Sequence, residues 1–487
     1  MNNQIKTRLP ALQRTAMMTA ITFLAGCSLM PTYERPTAPI ASQWPASAAV
    51  NAHGDTISAQ SVPVLAWQDY FTDPTLRQLI DTALLHNRDL KVAILNIELA
   101  RAQLGIRQAD QWPTVNAAAL GSRSPNSDGD IKSAYSAGLT VTAYEIDFFG
   151  RVASLKEQAL AQYLASAEAS QSAQISLIAT VAQIWMNLLA DEELLAVSNQ
   201  TLASRDESLK LVELRVKHGA ASDFELRGAQ TLRERARVVL ALQLRQRALD
   251  ENALELLLGQ PLDEASRAQL TLRNLSQSSL PEVPAGLPSD LLVRRPDVRQ
   301  AEQLLIASNA NIGAARAAFF PRISLTAGAG SASTELAGLF KNGSWGWTLA
   351  PQLVLPIFDA GRNQANLDAA RASRAIAVAQ YEKTIQGAFR EVADALASRA
   401  TLKQQLQASQ ALLEVEEARN TLTQLRLDNG VASQLEWLDA KRSLFASQLE
   451  MVQTRLAYQQ NQIALFKTLG GGASDPALQT ENPEIKP

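Results

Sequence analysis

Tyr135-Ser-Ala-Gly-Leu-Thr-Val-Thr-Ala-Tyr-Glu-Ile146 is the stretch that decides how this chain is read. Its odd positions, Tyr135, Ala137, Leu139, Val141 and Ala143, are apolar; Ser136, Gly138, Thr140, Thr142 and Tyr144 alternate with them. Period-two alternation over about ten residues, with small polar residues on one face, is what a membrane-barrel strand requires. Ile323, Leu325, Ala327 and Ala329 alternate in the same way with Ser324, Thr326, Gly328 and Gly330, and Trp347, Leu349, Leu353, Leu355 and Ile357 keep that parity. Val115, Ala117 and Ala119 complete a set of four predicted strands, near 114–124, 134–146, 322–333 and 346–357. Trp112, Phe148, Phe149, Phe319, Phe320 and Phe358 cluster at one strand end and Trp345 and Trp347 at the other, as two interfacial girdles would. Soluble hairpins capping a helical bundle are the bland alternative.

Outward from these strands the chain turns helical. No proline occurs from Asn126 to Gln260 or from Ile357 to Asp475, and Ala, Leu, Gln, Glu and Arg dominate between Gly150 and Gly219 and between Gly361 and Gly430. Ile385, Phe389, Val392 and Leu396 recur with coiled-coil-like spacing. A single helix over 151–218 would be roughly 100 Å long. Such a helix needs lateral partners, and Ala369, Ala370, Ala372, Ala375, Ala377 and Ala379 permit close approach. Arg215-Val-Lys-His-Gly219-Ala-Ala-Ser222 and Arg426-Leu-Asp-Asn-Gly430-Val-Ala-Ser433 both place a C-cap glycine before a serine that caps a returning helix.

These parts occur twice. Asn87–Pro113 aligns with Arg295–Pro321 at a shift of 208, and from Ile146 onward the shift is 211, so that Gly150-Arg151 falls on Gly361-Arg362 and Leu258-Gly259 on Leu469-Gly470. A period this long is a duplicated half-molecule, not a solenoid unit. The expected organisation is a signal segment 1–26, a lipidated tether 27–74, a first copy 75–280 with hairpin 150–258, a second copy 281–472 with hairpin 361–469, and a flexible tail 473–487. Four strands cannot close a barrel, and an open edge is not viable in lipid. Strands that insert therefore demand an oligomer; dimers give 8 strands and trimers 12, and pattern alone does not choose.

The ends point to export. Lys6, Arg8 and Arg14 precede the short apolar run Ala16–Ala25, and Leu24-Ala25-Gly26-Cys27 has the form of a lipobox, with Cys27 the expected lipidation site and the only cysteine. Ser28, in place of an aspartate, favours the outer membrane. Losing the three positive charges of the signal takes the formal net charge from −3 to −6. No basic excess points to nucleic acid, and no apolar run after Cys27 is long enough for a membrane helix. His53, His86 and His218 are scattered, and no zinc, nucleotide or nucleophile motif appears. No catalytic residue, metal site or bound cofactor is expected beyond the lipid on Cys27.

At this point the chain resembles the TolC/OprM-type outer-membrane channels of tripartite efflux pumps, in their lipoprotein (NodT-like) branch. The resemblance rests on Gly26-Cys-Ser-Leu-Met-Pro-Thr-Tyr-Glu-Arg-Pro36, Asn87-Arg-Asp-Leu90, Tyr144-Glu-Ile-Asp-Phe-Phe-Gly-Arg151 and Arg295-Pro-Asp297, and on Ala310-Asn-Ile-Gly-Ala-Ala-Arg-Ala-Ala-Phe-Phe-Pro321, Leu355-Pro-Ile-Phe358 and Leu469-Gly-Gly-Gly472. It implies an α+β membrane protein: a homotrimer whose 12-stranded outer-membrane β-barrel continues into a long periplasmic α-helical barrel. A periplasmic adaptor and an inner-membrane RND-type pump would dock to it, and cargo would leave chemically unchanged. It further implies a resting periplasmic gate, matched here by Leu435 and Asp439, with Arg426 as a restraining base; Leu427 stands where relatives commonly carry Tyr. The turns Gly219–Ser222 and Gly430–Ser433 resemble the adaptor-contacting tips. The duplication adds its own pointer: Phe224 matches Leu435, but Gly228 matches Asp439, so only one copy brings the acid. Three carboxylates on one axis would repel and attract cations. Two alternatives stay open: the same duct for copper or silver ions, suggested by Gly361-Arg-Asn-Gln-Ala-Asn-Leu-Asp368, and a periplasmic coiled-coil adaptor without a pore, against which the duplicated strand pairs count.

Overall fold

The computed structural model describes residues 28–44, 66–125, 127, 129–273, 275–277, 280–282 and 288–471. Cys27, the signal segment, much of the tether and the tail lie outside the described residues. Ten helices are named here in chain order. They are α1 (Trp67–Tyr70), α2 (Pro74–His86), α3 (Arg88–Ala109), α4 (Arg151–Lys217), α5 (Asp223–Leu258), α6 (Glu264–Leu272), α7 (Asp290–Arg294), α8 (Pro296–Ala317), α9 (Arg362–Asp428) and α10 (Gln434–Thr468). The strands are β1 (Val115–Pro125), β2 (Ile131–Ile146), β3 (Arg322–Ser333) and β4 (Trp345–Val354). The duplication is visible in the lengths: α3 and α8 have 22 residues each, and α4 and α9 have 67 each.

Two compact units divide the chain. One comprises residues 1–37, 96–167 and 300–382, and the other 38–95, 168–299 and 383–487. The first holds an antiparallel sheet in the order β1-β2-β3-β4. Its register keeps the odd residues of all four strands on one face: Ala117 pairs with Leu139, Leu139 with Ala329, and Ala329 with Trp347. Gly138 lies opposite Gly330, and a Cβ on either would collide with the other strand's backbone, so the closest strand approach admits no side chain there. Leu139, Trp345, Trp347, Leu349 and Leu353 of this face are exposed in the single chain. An apolar face of this kind seeks lipid or a partner.

One part of the alternation is displaced. The register slips between Val141 and Tyr144, where Ala143 takes the left-handed φ of 53°. This bulge puts Tyr144 opposite Leu325 and Ile146 opposite Ile323, so Tyr144 joins the apolar face and not the polar one that simple alternation assigns. Its hydroxyl donates to the Gln111 carbonyl at 2.9 Å. β4 ends at Val354, short of the expected 357.

The segment expected to be an extended tether is pinned where it is described. Arg35 forks onto Glu302 at 2.6 and 2.9 Å, Tyr33 donates to the same carboxylate at 2.9 Å, and Asn309 and Arg316 of α8 donate to the carbonyls of Pro31 and Leu29. Further on, Trp67, Tyr70 and Phe71 are buried before Asp73 caps α2.

In the second unit the core is built around Trp185, Tyr70, Phe71 and Phe466, with Tyr70 stacked on Phe466 at 4.3 Å. Here the two copies repeat one contact with different chemistry. Asn87 donates its amide to the Leu257 carbonyl at 3.0 Å, and its counterpart Arg295 donates to the Thr468 carbonyl at 3.1 Å. Each closes the C-terminal end of the returning helix, where orphan carbonyls need donors. Arg295 also grips Asp297 at 3.0 and 2.7 Å and Glu391 at 2.8 Å, which accounts for the Arg295-Pro-Asp297 motif.

Candidate functional site at the hairpin tips

Both long helices end in the same way. Gly219 and Gly430 sit at left-handed φ values of 70° and 72°. In the first tip the Ala220 N–H reaches the Arg215 carbonyl at 2.7 Å and the Gly219 N–H the Val216 carbonyl at 2.9 Å; Val431 to Arg426 at 2.8 Å and Gly430 to Leu427 at 2.9 Å repeat this in the second. These paired bonds are Schellman closures, and they stop each helix at a fixed residue. Ser222 then accepts from Glu225 N and Ser433 from Glu436 N, starting the returning helices α5 and α10.

Beyond the caps the tips diverge. Leu435 points into solvent with 66% of its surface exposed, and so does Phe224 with 79%. Asp439 lies one turn past Leu435 and is held by two guanidinium groups: Arg419 of α9 donates to its Oδ2 at 3.0 Å and Arg442 of α10 to its Oδ1 at 2.6 Å. Arg419 in turn bonds Glu416 at 3.2 Å. Two acids and two bases thus form one chain of ion pairs, and the bare carboxylate expected from the sequence is neutralised. Arg426 does not join it. Its guanidinium lies 3.9 Å from Glu436, while its backbone carbonyl closes the turn. Leu435 and Asp439 therefore share a helix face, Arg426 lies nearer the turn, and the basic partners of Asp439 are Arg419 and Arg442.

Both missed residues left a trace in the sequence. Arg442 is three residues after Asp439, within reach on one helix face. Arg419 becomes visible only when the chain is folded back at Gly430, which sets it across from Asp439. The Asp439 side chain is 41% exposed, and those of Arg419 and Arg442 44% and 59%, so each pair contributes on the order of 0–1 kcal/mol. Contacts this weak hold a tip in place without locking it.

Deeper in the second unit, Lys441 donates to Ser204 at 2.8 Å and Ser208 at 3.3 Å on α4 and lies 3.9 Å over the Trp437 ring. Burial, followed by the Arg205 charge, lowers its ammonium to about 8. Among the described residues no cluster of His, Cys, Asp and Glu has the makings of a metal site.

Comparison with known proteins gives a consistent result. Residues 79–260 and 287–471 match the family described as outer membrane efflux protein. The chain is 47% identical over 466 residues to the solvent efflux pump outer membrane protein SrpC of Pseudomonas putida, covering 94% of this chain and 98% of that one. Among solved structures, a membrane protein from Pseudomonas aeruginosa is 43% identical with a TM-score of 0.83, over 92% of this chain and 98% of that one. The open state of the Neisseria gonorrhoeae MtrE outer membrane channel is 38% identical with a TM-score of 0.83, over 92% and 99%.

Proposed function

This chain belongs to the outer membrane efflux protein family and is an outer-membrane channel of an efflux pump, a transport duct and not an enzyme; from that premise we propose how it is assembled, closed and loaded. Three chains join their sheets, β1 of one beside β4 of the next, into a 12-stranded barrel. The observation that carries this reading is the sheet itself: four strands with one continuous apolar face and two unpaired edges. An unpaired edge in hydrocarbon costs several kcal/mol per orphaned group, and closure removes it.

The helical hairpins extend into the periplasm, where the tips Gly219–Ser222 and Gly430–Ser433 meet a periplasmic adaptor that links the channel to an inner-membrane RND-type pump. At rest Leu435 and Asp439 of each chain narrow the passage, and the Arg419 pair braces the two helices of the second tip against each other. A diacyl and an amide-linked acyl chain on Cys27 anchor the N-terminus in the outer membrane, since a single chain binds only marginally. The cargo is apolar organic solvents and drugs, a reading supported by a relative named for solvent efflux at 47% identity.

Reconstitution into planar lipid bilayers tests this. The protein should migrate as a trimer and show a small resting conductance that rises severalfold in Asp439→Ala. A monomer that forms no conducting species in lipid would refute the channel assembly. Trimers whose conductance is the same before and after the Asp439→Ala substitution would leave the channel standing and remove the gate.

A further inference from the structure

Arg205 of α4 is only 4% exposed, yet its Nη1 has no hydrogen-bond partner among the described residues. A buried guanidinium without an acceptor is costly, because its charge has lost water and gained nothing in return. Burial lowers it to about 10, so it stays charged at neutral pH. Lys441 stands close by, hydrogen-bonded to the Ser204 and Ser208 hydroxyls, and the Glu207 charge offsets that of Arg205 on it only in part. Two further buried donors on the same stretch of α10, Trp437 Nε1 and Gln434 Nε2, are also unpaired among the described residues. Here α4 and α10 therefore bury more donors than acceptors, with the cations Arg205 and Lys441 side by side.

Arg205 opens onto a groove of about 740 Å³ between α4, α5 and α10. Its walls include Val238, Val239, Phe445 and Leu449, and Arg227, Arg235 and Arg442 stand around it. The acid on the lining, Glu234, is already held by Arg233 and Arg237. Volume and lining are those of a small-molecule site, apolar walls with a few convergent polar groups. The missing partner is an anion.

We propose that this groove binds an amphipathic organic anion, its carboxylate or sulfonate on Arg205 and its apolar body against Val238, Val239, Phe445 and Leu449. The anionic head supplies the acceptor that Arg205 lacks, and a charge-assisted hydrogen bond in a half-buried site is the stronger kind. A neutral alcohol of equal length fills the same walls but leaves Arg205 unpaired, and an alkylammonium meets repulsion. The groove shares Arg442 with the ion-pair chain at Asp439, but the proposal uses only Arg205 and the apolar walls and stands or falls without the Leu435 and Asp439 assignment.

The test uses the full-length protein in lipid nanodiscs, with empty discs as the blank, and 8-anilinonaphthalene-1-sulfonate as a fluorescent probe. Saturable binding is expected, displaced by octanoate and not by octan-1-ol or octylammonium. Arg205→Gln should weaken the probe at least about tenfold, the equivalent of ~1.4 kcal/mol. Ala446→Trp, at an exposed position on the lining, should abolish binding while the circular dichroism and oligomeric state stay unchanged. Displacement by octylammonium as effective as by octanoate overturns the proposal on the unmodified protein, whatever the variants do. So does an Arg205→Gln protein that binds like the parent.

Discussion

The two helical hairpins are the same construction with their charges in different places. In the first, formed by α4 and α5, the unusual acids lie midway: Asp191 is 5% exposed, and the half-buried Asp250 faces it from α5. The corresponding positions of the second hairpin are Leu402 and Asn461, neither of them acidic. In the second hairpin, formed by α9 and α10, the distinctive acid is at the tip, where Asp439, Arg419 and Arg442 stand in place of Gly228, Ser208 and Thr231. Duplication supplied two equal struts. Divergence left one with a repelling acidic pair in its wall and the other with an exposed ion-pair chain at its end.

The largest effect should come from collapsing the difference at the tips. Replacing Arg419 with Ala removes the bond across the hairpin, uncovers the Asp439 carboxylate and should raise both conductance and cation selectivity severalfold in planar bilayers. Arg426→Ala should do much less, because its 3.9 Å approach to exposed Glu436 contributes little. An Arg426→Ala effect equal to that of Arg419→Ala would mean that the tip is restrained through the turn and not through the ion-pair chain.

A smaller effect should follow from erasing the difference in the wall. Burial first, and then the facing Asp250 carboxylate, push Asp191 up to about 7, with Glu192 adding repulsion and Arg247 opposing it. Arg247 is shared with Glu192 and Glu251, which limits its help. The folded chain therefore holds this proton more tightly than the unfolded one, where an aspartate titrates near ~3.9. Stability falls as pH rises from about 4 to about 7, and the loss is complete above that. Asp191→Asn should raise the midpoint of thermal unfolding by a few degrees at about pH 8 and change it little at about pH 4. An equal gain at both values would assign the effect to packing.

How much of this was open to reading from the sequence depends on the distance over which each feature is set. The struts were legible because length, cap and return are local: Gly430 and Ser433 say where α9 stops and α10 starts. The strand parity was legible up to Val141 and then failed, since a single backbone angle at Ala143 shifts every later residue and leaves no compositional mark. The Arg35–Glu302 clamp was invisible, joining residues 267 positions apart. Arg205 reads in the sequence as one more solvated helix arginine. Only the packing of α4 against α5 and α10 shows that it has lost its water.

The finest distinction between the hairpins lies in their caps. At the first tip Ser222 and Glu225 complete a reciprocal capping box, with the Glu225 carboxylate accepting from Ser222 N at 2.7 Å. At the second tip Ser433 accepts from Glu436 N at 3.2 Å, but the Glu436 carboxylate is drawn toward Arg426, and only the Ser433 hydroxyl reaches it, at 3.4 Å. Two donors are satisfied at one tip and one at the other, and the extra bond belongs to the Glu225 carboxylate, so Glu225→Ala should cost about 0.5 kcal/mol and Glu436→Ala less. Amide hydrogen exchange over the first turns of α5 and α10 would measure this directly. Faster exchange in α10 of the unmodified protein is the expected result, and it would place the looser start of a helix on the strut that carries Leu435 and Asp439. Equal protection at the two tips would mean that the ion-pair chain through Asp439 compensates for the missing half of the cap.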